Sequence, residues 1–430
     1  MLRATAPISY AQKMCAEMRI YMNLTKRRWV TLIACCLINL CLGSIYVWSV
    51  FASSMAEFLS ARNGVVLTTA DLAIVYTIAN SVGPITMITG GWFNDKFGPK
   101  KVILIGGIMV GAGMIASGFA TSVGALVVTY GLIFGLGLGM TYGTAVSSCM
   151  KFFPDKRGLI GGITTAIYGL GSVILPPVVT MIVSRSNAPT AFKIVGVIFL
   201  IIIVGCSFLM EQCPADFVPE GWTPPVVAHN DKAVNKNWKE MLKTPVFYVM
   251  LLLFTCGAFS GMMVISQASA VAVNLVGMTA LMASTAVSIL AVFNAAGRII
   301  AGILSDKIGR INTLTIATVL GVCGLLLLYF TGQGGYATFY IGIACIGVSF
   351  GSFMGVYPGF TADQFGAKNN SVNYGIMFIG LAAAGYFGPS AMRSIYMSDG
   401  AYARAFLIAC ACGVAGFVLT FVYRFLAKKQ

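Results

Sequence analysis

The chain has 430 residues with a formal net charge of +15, yet only 10% are charged while 58% are hydrophobic. Soluble globular domains carry about 25% charged residues, so this balance and a mean hydropathy of +0.87 exclude an ordinary soluble domain. Nucleic acid is excluded as a partner too, because the basic residues are spread over the edges of apolar runs rather than gathered in a patch.

Residues 1–28 lack the apolar core of a signal peptide and read as a cytosolic tail ending in Lys26-Arg27-Arg28. Beyond them, apolar stretches near the length that crosses a roughly 30 Å hydrocarbon core recur to the end of the chain. They lack the short alternation of a membrane barrel, which predicts an all-α polytopic membrane protein embedded in the lipid bilayer. The twelve predicted spans are 29–52, 70–92, 101–119, 124–149, 159–184, 191–210, 245–268, 280–302, 313–331, 337–360, 371–393 and 402–424.

The first span contains "LGSIYVWSVF", with Tyr46 and Trp48. After the second comes Gly90-Gly-Trp-Phe-Asn-Asp95-Lys96-Phe-Gly-Pro-Lys100. The fourth, "GLIFGLGLGMTYGTAVS", places a run of glycines before Tyr142. Small residues there permit close helix approach and free Tyr142 to face a cavity, although packing against lipid or core accounts equally well for any single aromatic. Segment 211–244 is polar, proline-containing and holds the only histidine, His229. It reads as a cytosolic linker between bundles at 29–210 and 245–424, with 425–430 a cytosolic tail.

The second half repeats the first. Ala301-Gly-Ile-Leu-Ser-Asp306-Lys307-Ile-Gly-Arg310 follows the eighth span as the Asp95 segment follows the second. Glycines at such a turn let helices approach. Asp95 and Asp306 can brace the N-terminal end of a neighbouring helix or a basic side chain, closing one face of a rocking pair of bundles. Lys96, Lys307 and Arg310 belong to the same motif. Spans ten and eleven carry Phe350, Met354, Tyr357 and Tyr374 with no second basic residue.

All Lys and Arg except Arg62, Arg185, Lys193, Arg298, Arg393 and Arg404 fall in tails and loops of one face. The positive-inside rule then predicts cytoplasmic termini. The twelve cysteines lie mostly within apolar runs at no metal-ligand spacing, so neither a metal nor another cofactor is expected. No nucleophile–base cluster recurs near the spans, which argues against an enzyme. All thirteen acidic residues can be placed in loops or near span ends. A cation carrier or a proton relay would need a carboxylate near mid-membrane.

Arg298 stands alone inside the eighth span. Its guanidinium either snorkels to the near interface or points into a central cavity beside Asn294, one turn earlier. In a cavity, a fixed positive charge without a neutralising acid suits a carboxylate ligand held by two parallel hydrogen bonds.

The stretches "GSIYVWSVF", "TYGTAVSSCMKFFPDKRGLIGG", "YGLGSVILPP", "MLKTPVFYVM", "FNAAGRIIAGILSDKIGR" and "NNSVNYGIMF" cover both halves. Motif and layout together resemble the major facilitator superfamily, and these stretches resemble its oxalate:formate antiporter group, bacterial relatives of monocarboxylate transporters. The resemblance implies a pocket with two basic residues. One falls on Arg298 and the other on Leu381, which is neutral. Tyr46 and Tyr142 match pocket tyrosines, whereas a pocket glutamine falls on Ile45, a tyrosine on Met354 and a tryptophan on Phe350. An aspartate implicated in proton coupling in the animal-type transporters falls on Val287, leaving a co-transported proton open. One cationic anchor in a more apolar wall implies secondary transport of a short monocarboxylate such as lactate, pyruvate or formate across the inner membrane, by a functional monomer. Exchange of oxalate or another dicarboxylate for formate, and a carboxylate sensor, are the alternatives.

Overall fold

The computed structural model describes residues 10–69, 71–214, 217–223 and 235–428, with side chains from Leu24 onward except that of Ala280. His229 lies outside the described residues. Among the described residues, twelve helices are long and apolar enough to cross a membrane. Spans 1 to 6 are Leu24–Asn63, Ala73–Phe97, Pro99–Ser117, Val123–Lys151, Arg157–Arg185 and Ala188–Ser207. Spans 7 to 12 are Pro245–Val276, Leu281–Ile308, Arg310–Tyr329, Tyr336–Phe365, Asn370–Asp399 and Ala403–Ala427. An even number of crossings puts the start of span 1 and the end of span 12 on one side, here called the termini face. The architecture is all-α and consistent with two six-helix bundles.

Helix ends differ from the hydropathy reading where a helix outruns the bilayer. Span 1 continues past residue 52 because no helix breaker intervenes before Gly64, which closes it at φ 65°. At the other end, the expected tail joins span 1 without a break, since a single helix covers Tyr10–Leu42. Spans 2 and 8 end in the same turn: Gly98 (φ 82°) and Gly309 (φ 90°) take a conformation that side-chain-bearing residues rarely adopt. The chain then re-enters the membrane immediately at Pro99 and Arg310.

Two spans are irregular inside the membrane. Span 1 tightens to a 3₁₀ turn over Gly43–Val47. There Gly43 lies against Gly171 and the Tyr168 carbonyl of span 5, with no room for a Cβ. Span 4 widens to a π-helix over Val127–Phe134. Such interruptions in a regular helix commonly mark hinges and functional sites.

The bundles meet along glycine seams at the termini face. Gly158 and Gly162 of span 5 pack against Gly302 and the Arg298 backbone of span 8. Gly91 of span 2 packs on the Ser371 backbone, and Gly375 of span 11 on that of Met87. Small residues let helix backbones touch, and dispersion replaces the hydrophobic drive that lipid cannot supply. Toward the opposite face, Ser49, Ser53 and Glu57 continue the side of span 1 on which Tyr46 lies, and all are exposed. Polar side chains at such positions require water rather than lipid. The glycine seams therefore hold the bundles together at the termini face, and the other end of span 1 carries a hydrated polar stripe.

The described ends of the linker dock separately. Cys213 donates to the Lys151 carbonyl (3.3 Å), beside a Phe217–Phe152 ring contact. Burial pushes the Cys213 thiol up to about 12, which leaves it inert. On the second bundle, Lys236 N–H donates to the Phe365 carbonyl (2.8 Å) and Asn373 Nδ2 to the Lys236 carbonyl (3.0 Å).

Replacing Gly158 by Val puts side-chain atoms where Arg310, Ser305 and the Gly302 carbonyl stand. Gly158→Val is expected to prise the termini face open. With Ser371→Cys, whose parent side chain is buried, labelling by a water-soluble maleimide should rise about 10-fold, the response to a shift of about 1.4 kcal/mol. Unchanged labelling would show that the seam does not control closure.

Candidate functional site

The Arg298 guanidinium decides between the two sequence readings by its position. It neither snorkels to the interface nor faces lipid: it is 1% exposed and crosses from span 8 to span 5. Nε donates to Asn294 Oδ1 (3.1 Å), one turn back on the same helix. Nη1 donates to the Thr165 backbone carbonyl of the other bundle. Among the described residues, no carboxylate is ion-paired with it. A buried guanidinium held only by neutral oxygens is costly, roughly 2.5–3.5 kcal/mol on insertion scales, and retains unused donors for an anion.

Tyrosines surround it. Tyr46, Tyr142, Tyr168 and Tyr374 all lie within electrostatic reach of the guanidinium, with Tyr46 near enough for its hydroxyl to hydrogen-bond. Their rings form a chain across the two bundles: Tyr46 to Tyr168 (5.6 Å), Tyr168 to Tyr142 (4.9 Å), Tyr142 to Phe378 (5.7 Å) and Phe378 to Tyr374 (5.6 Å). Tyr46 is 41% exposed, the most open of the four. The hydroxyls of Tyr142 and Tyr374 approach each other, yet both are buried without a geometrically satisfied hydrogen bond. Unmet buried hydroxyls retain a donor each, which an acceptor brought to this position could take up.

The remaining predicted site residues are less tightly gathered. Phe350, Met354 and Leu381 are buried in the large apolar cluster. Phe350 is laid across Gly261 of span 7, while Gly351 and Gly355 of span 10 press on the Asn294 and Arg298 backbones. Phe350, Met354 and Leu381 thus pack within the core, apart from the guanidinium's polar contacts. Tyr168, Phe378, Thr165 and Gly169 join the site without having been singled out from sequence. Tyr168 and Gly169 lie in the "YGLGSVILPP" stretch, where a Tyr-Gly pair offered the only signal.

The motif residues assemble below the site, at the termini face. Asp306 caps span 5 of the other bundle: Oδ1 accepts from Gly158 N–H and Oδ2 from Leu159 N–H, both at 2.9 Å. Asp95 does the same more loosely for span 11, accepting from Val372 N–H at 3.4 Å. Two helix N-termini thus receive a carboxylate from across the seam, as the partial positive charge there favours. Arg310 grips Asp306 (2.6 Å) and Asp363 (2.8 Å), and Arg157 crosses from span 5 to Asp363 (2.7 Å). Asn94 donates to Ser371 (2.7 Å), which also meets Ser147 (2.8 Å).

Lys96 and Lys307 stand outside this network, against the expectation from the motif. Lys96 lies over the Trp92 and Phe97 rings (5.1 and 5.3 Å), and Lys307 is exposed. The cation beside Asp95 is instead Lys151 of span 4 (2.8 Å). A residue adjacent to the aspartate on a helix points about 100° away from it, so the neighbouring lysine faces outward.

Comparison with known proteins agrees with this architecture. The profile of the Major Facilitator Superfamily matches residues 33–389. YhjX of Escherichia coli (strain K12), described as an uncharacterized MFS-type transporter, is 30% identical over 361 residues, covering 83% of this chain and 86% of that one. The oxalate:formate antiporter of Oxalobacter formigenes is 30% identical over 402 residues, covering 93% and 92%. A solved structure of the proton:xylose symporter XylE superposes with a TM-score of 0.70 at 15% identity, covering 93% of this chain and 96% of that one. At that identity the superposition speaks for the fold alone.

Asp306→Ala removes both caps from span 5 and one partner of Arg310. The expected cost is about 1–2 kcal/mol, read as a melting temperature a few degrees lower for the purified protein. Asp306→Asn, which keeps one acceptor, should fall between the two. An Asp306→Ala protein melting with the parent would remove the caps from any account of closure.

Proposed function

The chain belongs to the Major Facilitator Superfamily, and from that premise we propose that it carries a short monocarboxylate anion across the cell inner membrane. It works as a monomer by alternating access, with both termini in the cytoplasm, and is a transporter rather than an enzyme. The observation that carries this reading is Arg298, buried between the bundles without an acidic partner. A carboxylate bound there exchanges an uncompensated charge for a charge-assisted hydrogen bond, and tyrosine hydroxyls take its remaining lone pairs. Because the guanidinium bridges spans 8 and 5, the bound anion sits where the bundles rock.

The apolar wall narrows the substrate class. Leu381, Phe350 and Met354 are buried, so a second carboxylate directed at them would be desolvated without a cation. A methyl or hydroxyalkyl group meets them at little cost. A second reading, oxalate or another dicarboxylate in exchange for formate, is favoured by the identity to the Oxalobacter antiporter. Among the described residues no carboxylate is paired to Arg298, so in this reading the substrate's own ionisation or anion exchange supplies charge balance.

Proteoliposome uptake tests the proposal. Lactate, pyruvate and formate should compete against a labelled monocarboxylate far better than oxalate at neutral pH. Leu381→Lys should shift competition toward oxalate. Strong selective competition by oxalate in the parent protein would establish the second reading instead. Arg298→Lys keeps the charge but loses the planar fork, so uptake at subsaturating substrate should fall about 10- to 100-fold, the worth of a charge-assisted hydrogen bond. Binding without flux would identify a carboxylate sensor, and undiminished uptake by Arg298→Lys would displace the anion from this arginine.

A further inference from the structure

The guanidinium that meets the anion is itself supported from one side. A Cβ built on Gly169 of span 5 would stand 3.3 Å from Arg298 Cζ, 3.5 Å from Nη2 and 3.6 Å from Nε. Near-equal distances to three atoms of one planar group mean that the group lies face-on to this glycine. Thr165, whose carbonyl accepts from Nη1, precedes Gly169 by one helical turn. The same turn of span 5 therefore supplies both an edge contact and a flat backing. The vacant Cβ position is what lets the planar group approach the helix backbone.

We infer that Gly169 is the positioning residue that sets the plane of the Arg298 guanidinium, and through it the orientation of the carboxylate that the site accepts. The inference rests on the proposed anion site and deepens it. With Nε committed to Asn294, Nη1 to Thr165 and one face covered by span 5, the donors left to a ligand are the terminal N–H groups that Thr165 and the nearby Tyr46 hydroxyl do not take. Donors remaining on the terminal nitrogens lie in the guanidinium plane and can act as a planar fork. An anion held by that fork has its carboxylate coplanar with the guanidinium, so tilting the guanidinium tilts the substrate against the tyrosine hydroxyls. A methyl group at 169 forces its neighbour to give by a few tenths of an ångström. Displacements of about 1 Å cost up to about 100-fold in a positioned site. A loss of about 3- to 10-fold is therefore expected for Gly169→Ala, and more for Gly169→Val.

The experiment has one readout independent of transport. Purified full-length protein without substrate is treated with phenylglyoxal, and the adduct at Arg298 is quantified by peptide mass spectrometry, with exposed Arg404 as the internal reference. Gly169→Ala and Gly169→Val should raise Arg298 modification stepwise relative to Arg404. Gly205→Ala should not, because a Cβ at 205 meets nothing within 4 Å. Parent-like modification in both Gly169 variants would overturn the inference and leave the transport reading standing. In proteoliposomes, Gly169→Ala should raise the KM for lactate uptake with little change in maximal rate. In an Arg298→Lys background the same substitution should do nothing further to lactate binding, since an ammonium has no plane to set. An equal effect in both backgrounds would assign Gly169 a purely structural role. If Gly169→Ala fails to fold, rescue by Arg298→Ala supports the contact and lack of rescue refutes it. Absence of lactate uptake by the parent would count against the proposed substrate class, while the phenylglyoxal comparison still decides the role of Gly169.

Discussion

A guanidinium buried between two helical bundles, with only neutral oxygens to hold it, sets the terms for the rest of this structure. Arg298 donates to an amide oxygen on its own helix and to a backbone carbonyl on the other bundle. Neither removes its charge. In a low-dielectric interior that charge is tolerable only where water, oriented dipoles or an anion can approach it. The partly exposed Tyr46 and the unmet hydroxyls of Tyr142 and Tyr374 meet that requirement together. The interaction also spans the interface between the two bundles.

Closure of the termini face is built from many weak contacts rather than one strong one. Each carboxylate cap on a helix N-terminus is worth about 0.3–2 kcal/mol, and half-exposed ion pairs such as Arg157 with Asp363 contribute little apiece. Glycine seams add dispersion at close range without entangling side chains. Such a face can open at modest cost, because no buried charge pair has to be torn apart. The crossed arrangement, Asp306 on span 5 and Asp95 on span 11, makes each bundle complete the helix ends of the other. Separation therefore exposes backbone donors on both sides at once, which favours a two-state seam over a graded one.

The layout of the membrane helices was legible in the chain itself. Hydropathy and length are local properties, so the number of spans and the duplicated aspartate turns could be read without a structure. Arg298 was conspicuous for the same reason: a cation in an apolar run is visible in one dimension. Helix ends were not, as span 1 shows, because a hydropathy window ends with the bilayer while the helix continues to Gly64. The ion-pair partner of Asp95 was not legible, since its neighbour Lys96 diverges around the helix and Lys151 comes from elsewhere in the chain.

Composition and spacing by themselves determined a twelve-span, two-part membrane protein with one isolated interior cation. Only the tertiary structure decided what that cation touches. Thr165 and Gly169 carry no charge and no distinctive periodicity, and they matter solely because span 5 crosses span 8 at their turn. The same is true of Tyr168, which joins the ring chain through the near contact of Gly43 and Gly171. Which surfaces of two helices meet depends on the packing of every small residue along both. A backbone carbonyl or a missing Cβ becomes part of a site only once that packing has brought it there.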